Sequence, residues 1–160
     1  MLKYKKNSKG FTFIELLIVV AIIGILAAGA VALINPAKRF QENRNAKRSS
    51  DVAIILNAVH NYYIDNNGSF PSAIQEDANC LSPSTIAEIC KKDIPSLTCI
   101  SDSKIPLSQI TENEKYLPNW PVDPTGESTN GIGYNIVKSA NSRITVCAPY
   151  AEDTTISITR

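Results

Sequence analysis

The chain has 160 residues, of which 44% are hydrophobic, 19% charged and 7% aromatic, and its formal net charge is +1. This length suits one small domain and is too short for a two-domain enzyme with a deep interdomain cleft. The composition excludes a disordered or collagen-like chain, and the net charge excludes a nucleic-acid binder recognisable by bulk charge.

The chain begins with a basic segment that is followed by an apolar one. Residues 1–10, MLKYKKNSKG, hold four lysines and no acid, so the rest of the chain carries 12 basic against 15 acidic groups. Residues 16–34 are a run of 19 without a charged or strongly polar side chain. A helix of about 20 residues, at about 1.5 Å each, crosses a hydrocarbon layer of roughly 30 Å. We expect a basic leader at residues 1–10, a transmembrane helix at 11–36 and an extracytoplasmic head at 37–160.

One acid lies near the start of the apolar segment. An ionised carboxylate deep in lipid costs on the order of 2.5 to 3.5 kcal/mol on the insertion scale, so Glu15 needs a partner for its charge. Small residues are concentrated further along the same segment, and they allow close contact with lipid or with another helix: Gly24, Ala27, Ala28, Gly29, Ala30 and Ala32.

The first helix is predicted to run from about residue 11 to about residue 66. Pro36 removes one backbone hydrogen bond, and we expect it to kink this helix rather than end it. The helix becomes amphipathic in its last part, where apolar residues recur at three-and-four spacing: Val52, Ile55, Leu56, Val59, Tyr62 and Tyr63. Gly68 is the expected stop.

A basic segment lies between the apolar and the amphipathic parts. Residues 37–48, AKRFQENRNAKR, hold five basic residues and one acid. We favour a collar whose Lys and Arg side chains reach lipid headgroups over a nucleic-acid contact. Because basic residues flank the apolar run on both sides, the positive-inside rule does not fix the orientation.

The outer part of the chain is predicted to be turn-rich and then to form an antiparallel meander. Short helices are expected at residues 84–91, with Ser84 as N-cap, and at residues 106–112. Alternating patterns predict strands at 131–138, 143–150 and 154–159. Packing the apolar stripe of the helix on the apolar face of this sheet gives an α+β fold.

Four cysteines lie in this outer part, and their even number predicts two disulfides with three possible pairings. We favour Cys99 with Cys147 and Cys80 with Cys90, and expect Cys147, which points away from the Val146 face, to hold a loop over the outer sheet surface. Without a Cys-x-x-Cys pair, a zinc site is disfavoured.

At GFTFIELLIVVAIIGILAA, residues 10–28, the chain resembles the signal of type IV pilins and type II secretion pseudopilins. The matching features are the short basic leader ending at Gly10, Phe11 after it, Glu15 five residues into the mature chain, and the long apolar helix. Residues 53–71, AIILNAVHNYYIDNNGSFP, resemble the end of the family's long helix.

This resemblance implies a function and its partners. Prepilin peptidase would cut between Gly10 and Phe11 and methylate the new amine, and an assembly platform of a pilus or type II secretion system would lift subunits from the cytoplasmic membrane into a homo-oligomeric filament. The amine of Phe11 on a neighbouring subunit would neutralise Glu15. A pilus, a secretion pseudopilus and a DNA-uptake filament all remain open. We expect no cofactor and no nucleic-acid partner, and because the acids Asp123, Glu127, Glu152 and Asp153 are scattered, we expect no calcium site.

Two rival classes are weighed against the filament subunit. An ordinary secreted or signal-anchored extracellular protein would use small-residue cleavage sites near Ala30, but the apolar run is long and Glu15 interrupts its start. An enzyme is disfavoured because the single histidine, His60, is expected to flank the core and no nucleophile with a base is apparent from spacing.

Overall fold

A computed structural model describes residues 10–33, 35–126 and 128–160. The basic leader before Gly10 and the candidate acid Glu127 therefore lie outside the described residues. The chain divides into two units, one ending at Arg39 and one beginning at Phe40. Each unit is described separately.

The first unit contains helix α1, Phe13–Leu33. Its stretch Phe13–Ala30 is long and apolar enough to cross a membrane, and none of it is buried within the chain. At about 1.5 Å per residue these 18 residues span about 27 Å. Within the part of the chain that the structure describes, this stretch of the helix is therefore apolar and packs against no other element, as expected from the sequence.

A second helix, α2, covers Pro36–Asp65. The Asn35 side chain accepts a hydrogen bond from the Lys38 backbone N–H at 3.2 Å, so Asn35 is the N-cap and Pro36 occupies the first helical position. The predicted helix from about residue 11 to about residue 66 is thus described as two segments, α1 and α2, with Pro36 beginning the second and residue 34 outside the described residues.

The second unit is a helix packed on a sheet. Helix α2 buries one stripe against the inner sheet face, and the buried residues of this stripe are Val52, Ile55, Leu56, Ala58 and Val59. Tyr62 packs against the same core, and Gly68 follows the helix with φ +78°. This arrangement confirms the α+β, pilin-like fold class.

The sheet has four antiparallel strands in sequential order, β1 Glu88–Cys90, β2 Gly131–Lys138, β3 Ile144–Cys147 and β4 Ser157–Thr159. Strand β2 is buried throughout except at Lys138, because it is central and covered on both faces. The last three strands are the predicted meander, with β3 and β4 shorter than expected.

The expected helix at residues 84–91 was wrong. Residues Glu88–Cys90 form strand β1, which pairs with β2 at Glu88 and Asn135. The Ser84 hydroxyl donates to the Asp77 carboxylate at 2.8 Å, so it does not cap a helix. Pairing with the central strand overrides the local helix signal here. Two short helices follow, α3 at Ser96–Ser101, which was not predicted, and α4 at Ser108–Thr111, inside the expected 106–112.

Both disulfides are formed, but with a different pairing from the expected one. Cys80 pairs with Cys147, and Cys90 pairs with Cys99. Cys147 does lie on the outer face of the sheet, where a small second cluster contains Cys80, Ala87 and Val137. The bond thus holds a loop over that face, as expected, with Cys80 in place of Cys99. Cys90 ends β1, and only nine positions separate it from its partner in α3.

Candidate functional site

The bond between Gly10 and Phe11 lies immediately before α1. Both residues are exposed, and Phe11 has 86% of its surface accessible. A Cβ added at Gly10 would meet no atom within 4 Å, so nothing in the described chain requires a glycine here.

Helix α1 begins with a reciprocal hydrogen-bonded cap between Thr12 and Glu15. The Glu15 backbone N–H donates to the Thr12 hydroxyl at 3.2 Å, and the Thr12 N–H donates to the Glu15 carboxylate at 3.4 Å. This is a capping box, in which two helix-end donors are satisfied and an acid faces the positive end of the helix dipole. The T-x-x-E spacing was a signal for this cap that the sequence analysis did not use.

The capping box does not remove the charge of Glu15. The carboxylate is exposed, and among the described residues it accepts hydrogen bonds only from Thr12, whose groups are neutral. The structure thus places one anion at the start of an apolar helix, within one turn of the residue that becomes the amino terminus if the chain is cut after Gly10.

Two glycines in α1 pack against no other described residue. A Cβ added at Gly24 or Gly29 would meet nothing within 4 Å. Glycine in a helix interior costs about 0.8–1.0 kcal/mol relative to alanine. Small residues of this kind let the backbone of a second helix come close.

A polar cluster in the head joins α2 to two distant loops. We call it the Arg48 cluster, and its members are Arg44, Asn45, Arg48, Asp123, Thr125 and Glu152. Arg48 is fully buried and donates to Asp123 through Nε at 2.7 Å and through Nη2 at 3.1 Å. It also donates to Thr125 at 2.6 Å and to Glu152 at 3.1 Å.

Arg44 and Asn45 hold the second of these loops. Arg44 Nε donates to the Glu152 carboxylate at 2.6 Å. The Asn45 side chain donates to the Glu152 carbonyl at 2.6 Å and accepts from the Glu152 N–H at 3.1 Å. The loop at Glu152 is therefore fixed by both its side chain and its backbone.

This cluster corrects the expected headgroup collar at residues 37–48 for Arg44 and Arg48, two of its five basic residues. Arg44 and Arg48 bind carboxylates of the head, and Arg48 is inaccessible to any lipid. The number of basic residues in this segment suggested contacts with lipid headgroups, but composition does not show which way each side chain points. The structure also brings together two of the scattered acids, Asp123 and Glu152, around an arginine.

The cluster shifts the acidity of its carboxyl groups. Burial raises the pKa of Asp123, but hydrogen bonds from Arg48 and from the backbone of Thr125 and Gly126 outweigh it, so the pKa lies below its usual value. Arg44, with a smaller contribution from Arg48, lowers the pKa of Glu152 to about 2. Both acids are therefore ionised at neutral pH and paired with guanidinium groups.

A second buried contact lies beside the cluster. The Tyr134 hydroxyl on β2 donates to the Asp51 carboxylate on α2 at 2.7 Å. Burial and this carboxylate raise the pKa of Tyr134, so the phenol stays protonated. The contact joins the helix to the central strand.

The remaining chemistry-bearing residues of the head have structural contacts. His60 lies on α2 with its ring centroid 5.7 Å from that of Tyr63, on the flank of the core. The four cysteines are all in disulfides, and in the described ranges no three His, Cys, Asp or Glu side chains are grouped so as to hold a metal ion. The polar groups at the start of α1 are therefore the candidate functional site.

Comparison with known proteins agrees with this location. A family model described as the prokaryotic N-terminal methylation motif matches residues 5–31. No curated protein and no solved structure matches the chain significantly. The motif implies processing by prepilin peptidase, is consistent with a membrane-anchored precursor, and points to a structural protein. Residues 5–31 thus carry the prepilin-type signal of type IV pilins and pseudopilins.

Proposed function

We propose that the mature chain, residues 11–160, is the structural subunit of a type IV pilus-like filament. Prepilin peptidase removes the leader after Gly10 and methylates Phe11. The precursor is a single-pass protein of the cytoplasmic membrane with its head outside the cytoplasm, and an assembly platform moves it into the filament. The exposed apolar surface of α1 with one acid at its start is the observation that carries the proposal.

That apolar surface requires a non-aqueous partner. Burying apolar surface contributes roughly 25 cal/mol per Å², and α1 buries none of it within the chain. Lipid provides the partner before assembly, and the helices of other subunits provide it afterwards. Gly24 and Gly29 leave room for those helices.

The charge of Glu15 favours the assembled filament over the subunit in the membrane. An ion at the apolar centre of a filament is tolerated only when it is paired. Glu15 lies within one turn of Phe11, so the amine of a neighbouring subunit's Phe11 can pair with it if the two helices are offset along their axes. In lipid, without such a neighbour, the carboxylate is compensated only by the capping box, and this difference favours the filament.

Two disulfides in the head support an extracytoplasmic location, because such bonds persist in oxidising compartments. They join loops to the sheet in a head that is small enough to benefit from covalent links.

The test is the filament yield of charge variants at Glu15. Glu15→Gln keeps an acceptor for the capping box and removes the charge, and Glu15→Ala removes both. We expect both variants to be cut and inserted in the membrane but to give no sheared filaments. Glu112→Gln, at an exposed head position, is the matched control and should assemble normally. Filaments from Glu15→Gln would contradict the ion-pair role.

The mass of the mature protein separates this function from the alternative of an ordinary secreted or signal-anchored protein. A filament subunit loses residues 1–10 and gains one methyl group. Signal peptidase acting near Ala30 would instead remove about thirty residues and release a soluble head.

A further inference from the structure

The turn after α2 carries a modification motif. Asn67-Gly68-Ser69 has the form Asn-x-Ser with a residue other than proline in the middle, which is the acceptor pattern for N-linked glycans. Asn67 is the only asparagine of the chain followed two positions later by serine or threonine. The structural context that this motif requires is an accessible turn outside the cytoplasm.

The structure places the motif in such a turn. Asn67 and Ser69 are exposed, and Asn67 and Gly68 have φ values of +54° and +78°. The Gly68 N–H donates to the Tyr63 carbonyl at 2.9 Å, which ends the helix and turns the chain outward. The Asn67 backbone is therefore fixed while its side chain extends into solvent.

The two adjacent asparagines differ in their side chains. The Asn66 amide nitrogen donates to the Tyr62 carbonyl at 2.8 Å, so it is engaged in capping the helix. The Asn67 amide makes no hydrogen bond to any described residue. Of these two asparagines, Asn67 is therefore the one whose amide nitrogen is available to be joined to a sugar.

A groove beside the motif has the chemistry that a sugar needs. It has a volume of about 370 Å³ and is lined by Gly68 and Ser69 of the motif, by the rings of Tyr63 and Phe70, and by Lys138. The two rings stack on each other with centroids 4.3 Å apart, and the serine and lysine supply polar groups. The lining is more polar than apolar, which suits the hydroxyl groups of a pyranose.

We propose that Asn67 is the attachment site of an N-linked glycan whose first sugar is next to this groove. The donor is a sugar linked through diphosphate to a membrane lipid. The Asn67 amide nitrogen forms a bond to the anomeric carbon, the bond from that carbon to the diphosphate oxygen breaks, the lipid diphosphate leaves, and the amide nitrogen loses one proton. The proposal rests on the head lying outside the cytoplasm, as in the proposed function.

The experiment is mass spectrometry of the full chain purified from membranes and sheared filaments of its native source. We expect a mass above that of methylated residues 11–160, with the added mass located on Asn67 after proteolysis. Asn67→Gln and Ser69→Ala should remove the added mass, Ser69→Thr should keep it, and Asn66→Gln, the matched control, should also keep it.

Two negative results have different meanings. Unmodified Asn67 in a chain that has lost its leader and forms filaments would overturn the glycan site and leave the proposed function intact. A chain that keeps residues 1–10 would overturn the proposed function, and the glycan site with it. Added mass that persists in Asn67→Gln would place the modification elsewhere and overturn the assignment.

Discussion

The buried guanidinium of Arg48 donates to both carboxylate oxygens of Asp123, from Nε at 2.7 Å and from Nη2 at 3.1 Å. The two residues are 75 positions apart, and both side chains have no accessible surface. Asp123 also accepts from the backbone N–H groups of Thr125 and Gly126 at 2.8 and 2.7 Å. The Asp123 carboxylate therefore stabilises the turn at residues 123–126 and also joins that turn to Arg48 of α2.

Removing one partner of this pair should destabilise the head strongly. Arg48→Met leaves the Asp123 charge buried without a cation, and such a change costs about 3–5 kcal/mol. Arg44→Met removes a cation from a partly exposed pair with Glu152 and should cost much less, because solvent screens the charge that is left. The fluorescence of Trp120, the single tryptophan and a buried one, reports head unfolding of the full chain in detergent under a urea gradient. Equal losses of stability in the two variants would contradict the conclusion that the buried Arg48–Asp123 pair matters more than the partly exposed Arg44–Glu152 pair.

A double variant tests whether the unpaired charge is the cause. Asp123→Asn removes the charge and keeps an oxygen that accepts from Thr125 and Gly126. When it is added to Arg48→Met, Asp123→Asn should therefore recover part of the stability that Arg48→Met loses. If the two sites were independent, the double variant would instead lose the sum of the two single losses.

The stability of the head should depend on pH through Glu152. Its pKa is lowered from 4.5 to about 2 in the folded state, chiefly by Arg44. A lowered pKa means that the folded head binds fewer protons than the unfolded chain. Stability from this group is therefore complete above about pH 4.5 and falls as the pH drops towards 2. The midpoint of thermal unfolding, followed by Trp120 fluorescence, should fall over that range, and Glu152→Gln should make the fall less steep.

The two disulfides should differ in what they contribute. Cys80–Cys147 closes a loop with a sequence separation of 67, and Cys90–Cys99 one of nine. In the chain-entropy description these loops correspond to roughly 4 and 3 kcal/mol. The double variant Cys80→Ser/Cys147→Ser should thus lose more stability than Cys90→Ser/Cys99→Ser. Peptide mapping without reduction checks the pairing directly, and a Cys99–Cys147 peptide would contradict it.

The sequence allowed the features that depend on local patterns to be predicted. The 3.6-residue period of α2 identified Val52, Ile55 and Val59 as core, and alternation over residues 131–138 gave β2 with its observed ends. Helix α1 was also predictable from a local pattern, because a long uninterrupted apolar run is typical of a membrane-spanning helix.

Features that depend on contacts between distant residues were not predictable in this way. Strand β1 is extended because it pairs with β2, although its local sequence favours helix. Arg48 looked like a headgroup ligand because its partner Asp123 lies 75 residues away. The expected disulfide pairing was wrong because the sequence does not show which loop lies over the outer face of the sheet, and that loop carries Cys80. Each of these errors arose from a long-range contact that overrides a local preference.

Gly133 should be the glycine least tolerant of substitution in the head. Its φ is +81°, and an added Cβ would lie 2.7 Å from the Cβ of Asp123 and 2.9 Å from the backbone oxygen of Gly126. Gly133→Ala therefore combines backbone strain with a push on the turn that positions the Asp123 carboxylate, and it should cost more than about 1 kcal/mol. Gly24→Ala is the matched control, because its Cβ would meet nothing within 4 Å, and it should leave the unfolding of the head unchanged. If urea unfolding of Gly133→Ala matched that of the parent chain, the close contact between β2 and the 123–126 turn would be wrong.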